Sequence, residues 1–335
     1  MIEDLIILVI DKLPVREKFA LIATHKNFID IGHKILIDEA VDFDTIKNLQ
    51  YYDIFTNVII GTQGVKYFPK NLKKIDINHR NRNNELKIPK TVTHLISRSP
   101  NKNDHIIPNS ITHLTIINSI KVQVIIPSSV THLSFGRNCS IVELPNTITH
   151  LTLGCDFNIT IKNLIPNSVT HLTFGTNFNQ LVRDDIPNFV KFLTFGRNFN
   201  KSIEQSIPKS VTHLFFGKFF NKKIKGHLPL SLTHLVFGYF FDKDIANAIP
   251  NSVKYLFFGT SFDQSLKNNI PESVTYLSLG KYYKHDLTNC IPSSVTHLRL
   301  KISINRRVIQ SLPLTVKYLI HKHTILKRHG DIFYI

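Results

Sequence analysis

Eight histidines of this 335-residue chain, His94, His113, His132, His150, His171, His213, His234 and His297, each directly follow a threonine and recur at intervals of 18, 19 or 21 residues or multiples of 21. If such intervals stack, the imidazoles stand about 5 Å apart, close enough to hold a transition metal, and a Thr-His pair is also half of a general-base arrangement. Neither chemistry fits the rest of the pattern. None of the matching positions supplies a carboxylate partner, and Phe192, Tyr255, Tyr276 and Tyr318 take the same place elsewhere, so the position requires a flat ring and not a ligand. An enzyme does not need eight copies of a site, and the chain contains no P-loop, G-x-G-x-x-G, H-E-x-x-H or G-x-S-x-G. The sequence therefore predicts no enzyme, no catalytic residue, no metal and no cofactor. Stacked imidazoles repel when charged, so stability is expected to fall as pH drops through roughly 6.

The histidines are positioned by a repeated unit, clearest at Ile165 to Asn179: IPNSVTHLTFGTNFN. Thirteen of the chain's 15 prolines open such units, from Pro69 and Pro89 through Pro145 to Pro313, with an interval of 21 residues from Pro145 onward. Counted from the proline, apolar residues stand just before it (Ile165) and at offsets 3, 6, 8, 12 and 16 (Val169, Leu172, Phe174, Phe178, Val182). Offsets 6 and 8 point inward on a short strand, which leaves 5 and 7 on the outer face. The proline marks the corner before the strand, and the glycine at offset 9, as in Gly175 and Gly196, is expected to turn the chain away. One unit cannot bury its own apolar edge, so the units are expected to stack as a right-handed parallel β-solenoid of about 13 rungs, roughly 60 Å long.

The stretch V-x-x-L-x-F resembles the leucine-rich-repeat skeleton, and 21 residues lies within that class's range. The fuller wording I-P-x-S-V-T-H-L-x-F-G-x-x-F-N resembles the FNIP repeat, a leucine-rich-repeat relative of amoebal proteins and of large DNA viruses of amoebae. The resemblance spans residues 68–320. It departs at the ends, where Pro69 and Pro89 open units without the glycine and Lys301 and Lys322 replace it, as expected of capping rungs. The leucine-rich consensus also places Asn at offset 11. Asn138, Asn177 and Asn198 conform, whereas Phe219, Phe240 and Tyr282 do not.

Residues 1–44 have another rhythm. Leu5, Ile6, Val9, Ile10 and Leu13 recur at helical spacing, and Pro14 is placed to begin a second helix. This small α-helical module is expected to cap the solenoid, and its wording also resembles an F-box at Leu5, Val9, Ile10, Leu13, Pro14, Phe19, Leu21, Ile22, Lys26 and Phe28. The resemblance implies docking on a Skp1-type adaptor of a cullin ubiquitin ligase, through Leu5, Val9, Leu13, Pro14, Phe19, Leu21 and Ile22. Residues 45–67 read as a junction in which Val58 to Ile60 form a degenerate rung, and 321–335 as a C-terminal cap.

Glu3 and Asp4 precede the first apolar run, which is too short for a membrane span and lacks the marks of a signal peptide. Cys139, Cys155 and Cys290 fall at three different offsets, which argues against disulfides and for a reducing intracellular compartment, cytoplasm or nucleus. The net charge of +17 implies nonspecific, salt-dependent affinity for polyanions. Within the regular rungs, however, Lys162, Arg183, Arg197, Lys218, Lys222, Lys243 and Lys267 are spread over offsets 10, 14 and 17 and not gathered at one, which is read as a solvated surface and not as a phosphate track.

Partner specificity is expected where rungs depart from the refrain. At offset 7 the usual threonine becomes Phe215, Val236 and Phe257, beside His213, His234, Tyr255 and Tyr276 at offset 5, with Lys191 and Lys254 as a rim. An exposed apolar patch of this kind marks an interaction site. The expected function is a substrate-recruiting adaptor, with the helical module docking a ligase and the repeats binding a target protein whose identity the sequence does not give. The alternatives are a non-catalytic interaction scaffold with a helical cap and a basic nucleic-acid-binding repeat protein.

Overall fold

The computed structural model describes residues 38, 40–48, 53, 55–61, 67–77, 87–98, 107–118, 124–137, 143–302, 304–321, 324–330 and 332–334. The chain forms two compact units, Met1–Thr147 and Ile148–Ile335. Both are parallel β-solenoids built from the proline-opened rungs.

In the first unit a two-residue strand, β1 (Val41–Asp42), leads into a single helical turn, α1 (Phe43–Ile46), where the Asp42 side chain accepts the Asp44 N–H. Strand β2 (Asn57–Ile60) pairs in parallel with β1 and forms a rung ahead of the first proline-opened one. Strands β3 (Lys74–Ile77), β4 (His94–Ser97), β5 (His113–Ile116) and β6 (His132–Phe135) follow in the same sense. Their register places Ile75, Leu95, Leu114 and Leu133 opposite one another, all buried. Arg98 grips the buried Asp76 carboxylate with two hydrogen bonds, Nε to Oδ1 at 2.9 Å and Nη2 to Oδ2 at 2.6 Å.

The second unit repeats this arrangement. Strands β7 (His150–Thr152), β8 (His171–Thr173), β9 (Phe192–Thr194), β10 (His213–Phe215), β11 (His234–Val236), β12 (Tyr255–Phe257), β13 (Tyr276–Leu279), β14 (His297–Leu300) and β15 (Tyr318–His321) are parallel neighbours in chain order. A six-residue helix, α2 (Arg306–Ser311), capped by Asn305, interrupts the rhythm before β15. Then β16 (Thr324–His329) reverses direction and pairs antiparallel with β15, and β17 (Ile332–Tyr334) pairs antiparallel with β16, ending the parallel series.

The core follows from the offsets. Phe174, Phe195, Phe216, Phe237 and Phe258 stack along one column and Phe178, Phe199, Phe220, Phe241 and Phe262 along a second, with 5.4–5.7 Å between ring centres in the first and 6.0–6.1 Å in the second. Within a rung the two rings meet at 3.8–4.1 Å. Burying each ring contributes on the order of 1.5–3 kcal/mol, repeated rung after rung.

Polar ladders tie the rungs together away from the strands. At offset 13 each side-chain oxygen accepts the backbone N–H one rung on: Asn158 from Asn179, Asn179 from Asn200, Asn200 from Asn221, Asn221 from Asp242 and Asp242 from Asp263, at 2.8–3.0 Å. At offset 2 the serines Ser168, Ser210, Ser231, Ser252, Ser273 and Ser294 donate to a carbonyl of the preceding rung. The proline carbonyl closes the corner by accepting the N–H three residues on, as Pro166 does from Val169 at 3.1 Å, so its missing N–H costs no ladder bond.

The structure corrects the expected role of the offset-9 glycines. None of those described has a positive φ. What each lacks is room: a Cβ on Gly175 would stand 1.8 Å from the Gly154 carbonyl oxygen, and one on Gly259 1.7 Å from that of Gly238. The left-handed residue lies at offset 18, where Asn163, Asp184, Gln205, Gly226, Asn247, Asn268 and Asn289 have φ between 50° and 78°. Asn, Asp and Gly tolerate that region best.

Candidate interaction surface

The outer face of the second unit carries one ring per rung. His150, His171, Phe192, His213, His234, Tyr255, Tyr276, His297 and Tyr318 form a column at offset 5, with neighbouring centres 3.9–4.3 Å apart from His150 to Tyr255 and 4.6–6.2 Å beyond. In the first unit His94, His113 and His132 stack in the same way at 4.0 and 4.1 Å. Rings stacked face to face hold their nitrogens side by side, not converging on one point as a metal site requires. Among the described residues no group of three or more His, Cys, Asp or Glu is arranged to hold a metal ion.

Each threonine is bound to the histidine after it. Thr170 Oγ1 lies 2.9 Å from His171 Nδ1 and 3.2 Å from the Thr149 carbonyl oxygen of the rung before, and the same pair of contacts recurs at Thr212 and Thr233. The hydroxyl thus links each ring to the neighbouring backbone and fixes its plane. Burial between rings lowers the pKa of His213 and His234, and the charge of His234 lowers His213 further. His94 is lowered chiefly by burial, with Lys74 adding to the effect and Asp38 opposing it.

The structure places Phe215, Val236 and Phe257 in register on adjacent strands, half-buried, beside half-buried His213, His234 and Tyr276 and exposed Tyr255. Phe257 leans across to Tyr276, with ring centres at 4.8 Å, over the buried Ser278 that ends the apolar column. Lys191 and Lys254 are exposed, and their carbonyls accept the N–H pairs of Thr212 and His213 and of Thr275 and Tyr276. The seven residues assigned to adaptor docking, Leu5, Val9, Leu13, Pro14, Phe19, Leu21 and Ile22, lie outside the described residues.

A second surface was not singled out as a site from the sequence. Just past the glycine column, Phe219 and Phe240 stack at 5.2 Å and Tyr239 meets Phe240 edge-on at 4.6 Å. Lys218 Nζ lies 5.3–5.6 Å from the centres of all three rings, and the Arg197 guanidinium 5.8 Å from Phe219. Arg197 and Lys218, assigned from the sequence to a solvated surface, share offset 10 and are here gathered around exposed rings. The sequence signal was the failure of Phe219 and Phe240 to match the consensus asparagine.

Comparison with known proteins agrees with this architecture. The FNIP Repeat family model matches residues 118–156, 140–177, 157–184, 178–219, 220–261 and 262–303, together more than half of the chain. The crystal structure of CroV588, described as a novel circular LRR protein structure, is 35% identical with a TM-score of 0.66, over 80% of this chain and 43% of that one. YopM from Yersinia enterocolitica WA-314 is 15% identical with a TM-score of 0.41, over 75% of this chain and 52% of that one. The chain thus spans less than half of the first structure and about half of the second. No curated protein matches it. The rung wording, the stacked parallel strands and the family match agree: the chain belongs to the FNIP repeat family.

Proposed function

We propose that the chain is a non-catalytic protein-interaction scaffold whose target lies across β10–β13. The observation that carries this reading is the apolar column of Phe215, Val236 and Phe257, which stands on the outer face where neighbouring rungs hold threonine or serine. The fold does not require large apolar groups there, since Thr173 and Thr194 serve in adjacent rungs. Aromatic residues on an accessible sheet face are the usual anchors of protein recognition.

The finer reading is a substrate-recruiting adaptor of a cullin-type ubiquitin ligase. It is supported by the F-box-like spacing of Leu5, Val9, Leu13, Pro14, Phe19, Leu21 and Ile22. Its mechanism is proximity: the helical module binds a Skp1-type adaptor, the rungs hold the target, and the local concentration of target at the ligase rises. Among the described residues no helix is long and apolar enough to cross a membrane.

The scaffold reading is tested by placing a charge on the apolar column. Phe257→Asp should remove target binding at an unchanged melting temperature, because Phe257 is half-buried on the outer face, whereas Lys162→Asp in another rung should retain it. Equal binding by both variants overturns the assignment of this face.

A further inference from the structure

The Phe219–Phe240 surface has features that the target-binding face does not explain. At offset 11 the successive rungs hold Asn198, Phe219, Phe240, Ser261 and Tyr282. The rings are not needed for folding, since asparagine and serine fill the same place, yet Phe219, Phe240 and Tyr282 are 37%, 38% and 48% exposed. The column of rings is broken once, at Ser261. Because neighbouring rungs are about 4.8 Å apart, Phe240 and Tyr282 stand roughly 10 Å apart with a small side chain between them. That is a slot for a flat ring.

Cations flank the slot on both sides. Lys218 lies against Phe219, Tyr239 and Phe240, and Lys281 Nζ lies 5.8 Å from the Tyr282 ring centre. At offset 14, directly after the ladder residues Asn200, Asn221 and Asp242, three consecutive rungs carry Lys201, Lys222 and Lys243. Among the described residues none of these five lysines takes part in an ion pair. Two nearby acids are committed: Asp242 accepts from the Asp263 N–H at 3.0 Å and from Gln264 Nε2 at 2.8 Å, and Asp263 accepts the Lys284 N–H at 2.8 Å with the Lys284 ammonium 3.6 Å from its other oxygen.

We infer that this surface binds single-stranded nucleic acid, with a base entering over Ser261 between Phe240 and Tyr282 and the phosphates running along the lysines. Single strands are held by this combination of rings for sequence-tolerant stacking and a row of positive charge for the backbone. A duplex keeps its bases stacked inside and cannot fill the slot. An acidic peptide would satisfy the lysines but leave the rings unused.

The test uses the full chain and a labelled oligothymidine in fluorescence anisotropy, with the corresponding duplex and polyglutamate as competitors. Ser261→Phe continues the ladder across the slot and should weaken binding about tenfold or more, the range expected for loss of a stacked base, while Ser261→Ala leaves it unchanged. Phe240→Ala should weaken it similarly, and Lys218→Glu should flatten its salt dependence. Should Phe240→Ala lower the melting temperature, Ser261→Phe decides alone, because the two preceding rungs already hold phenylalanine at that offset. Polyglutamate or duplex competing as well as the single strand, no binding of oligothymidine, or indifference to Ser261→Phe would each overturn the inference.

Discussion

Gly196 sits so close beneath Gly175 that a Cβ added to it would fall 1.7 Å from the Gly175 carbonyl oxygen. The offset-9 glycines are thus a packing requirement between rungs, not a turn requirement within one. Gly196→Ala should destabilise the second unit by about 3 kcal/mol or more, since the colliding atom is backbone and cannot swing aside. Gly226, with φ of 78° and nothing within 4 Å of an added Cβ, is the contrast. Gly226→Asn should change stability by less than about 1 kcal/mol, because Asn163, Asn247, Asn268 and Asn289 already occupy that conformation. Denaturant unfolding of the two variants side by side checks both values, and similar losses would contradict this division of roles.

The offset-13 ladder makes a chemical prediction. Asn200 Oδ1 accepts the Asn221 N–H at 3.0 Å, and the Asn200 N–H donates to Asn179 Oδ1 at 2.9 Å. Asn200→Ala removes the acceptor and leaves the half-buried Asn221 N–H without its partner, a loss of about 1–2 kcal/mol. Asn200→Asp keeps the acceptor, as Asp242 does toward Asp263, and should cost less. The order of the two melting temperatures is the readout.

Acid should weaken the ring column. His213 and His234 have folded pKa values below the ordinary 6.5, chiefly through burial. As pH falls below that value the unfolded chain takes up protons that the folded chain resists, so unfolding is favoured. The contribution is complete above about 6.5 and is lost as pH drops through the lowered folded values. Melting temperature is therefore expected to be lower at pH 5 than at pH 7.5, and the slope should shrink in His213→Phe/His234→Phe, since Phe192 shows that phenylalanine stacks in the column. An unaltered slope in that variant would remove the histidines from the explanation.

Much of the rung was legible in the sequence because its apolar residues keep fixed offsets, and Val169, Leu172, Phe174, Phe178 and Val182 are all buried as their positions imply. The period also identified the strands, with the His171–Thr173 and His213–Phe215 segments falling where the outer ring column was expected. Relations between rungs were harder to read. Nothing in a single repeat says that Gly175 lies on the carbonyl of Gly154, or that Asn200 feeds the N–H of the next rung, because both depend on the distance between stacked backbones. The left-handed column at offset 18 was visible as a run of Asn, Asp and Gly, but Gln205 among them obscured it. Arg197 and Lys218 share offset 10, but only the stacking of rungs shows that both cations come up against the Phe219 ring at offset 11.

A scaffold that joins a captured protein to a ligase adaptor, as proposed above, requires two separable surfaces. The direct measurement is quantitative co-purification from cells with three full-length chains: the natural sequence, Phe215→Asp/Phe257→Asp and Leu13→Asp/Pro14→Ala. The first double variant should lose the target proteins and keep the Skp1-type adaptor, and the second should lose the adaptor and keep the targets. Both groups persisting with the face variant, or both disappearing together from either variant at unchanged melting temperature, would contradict the account.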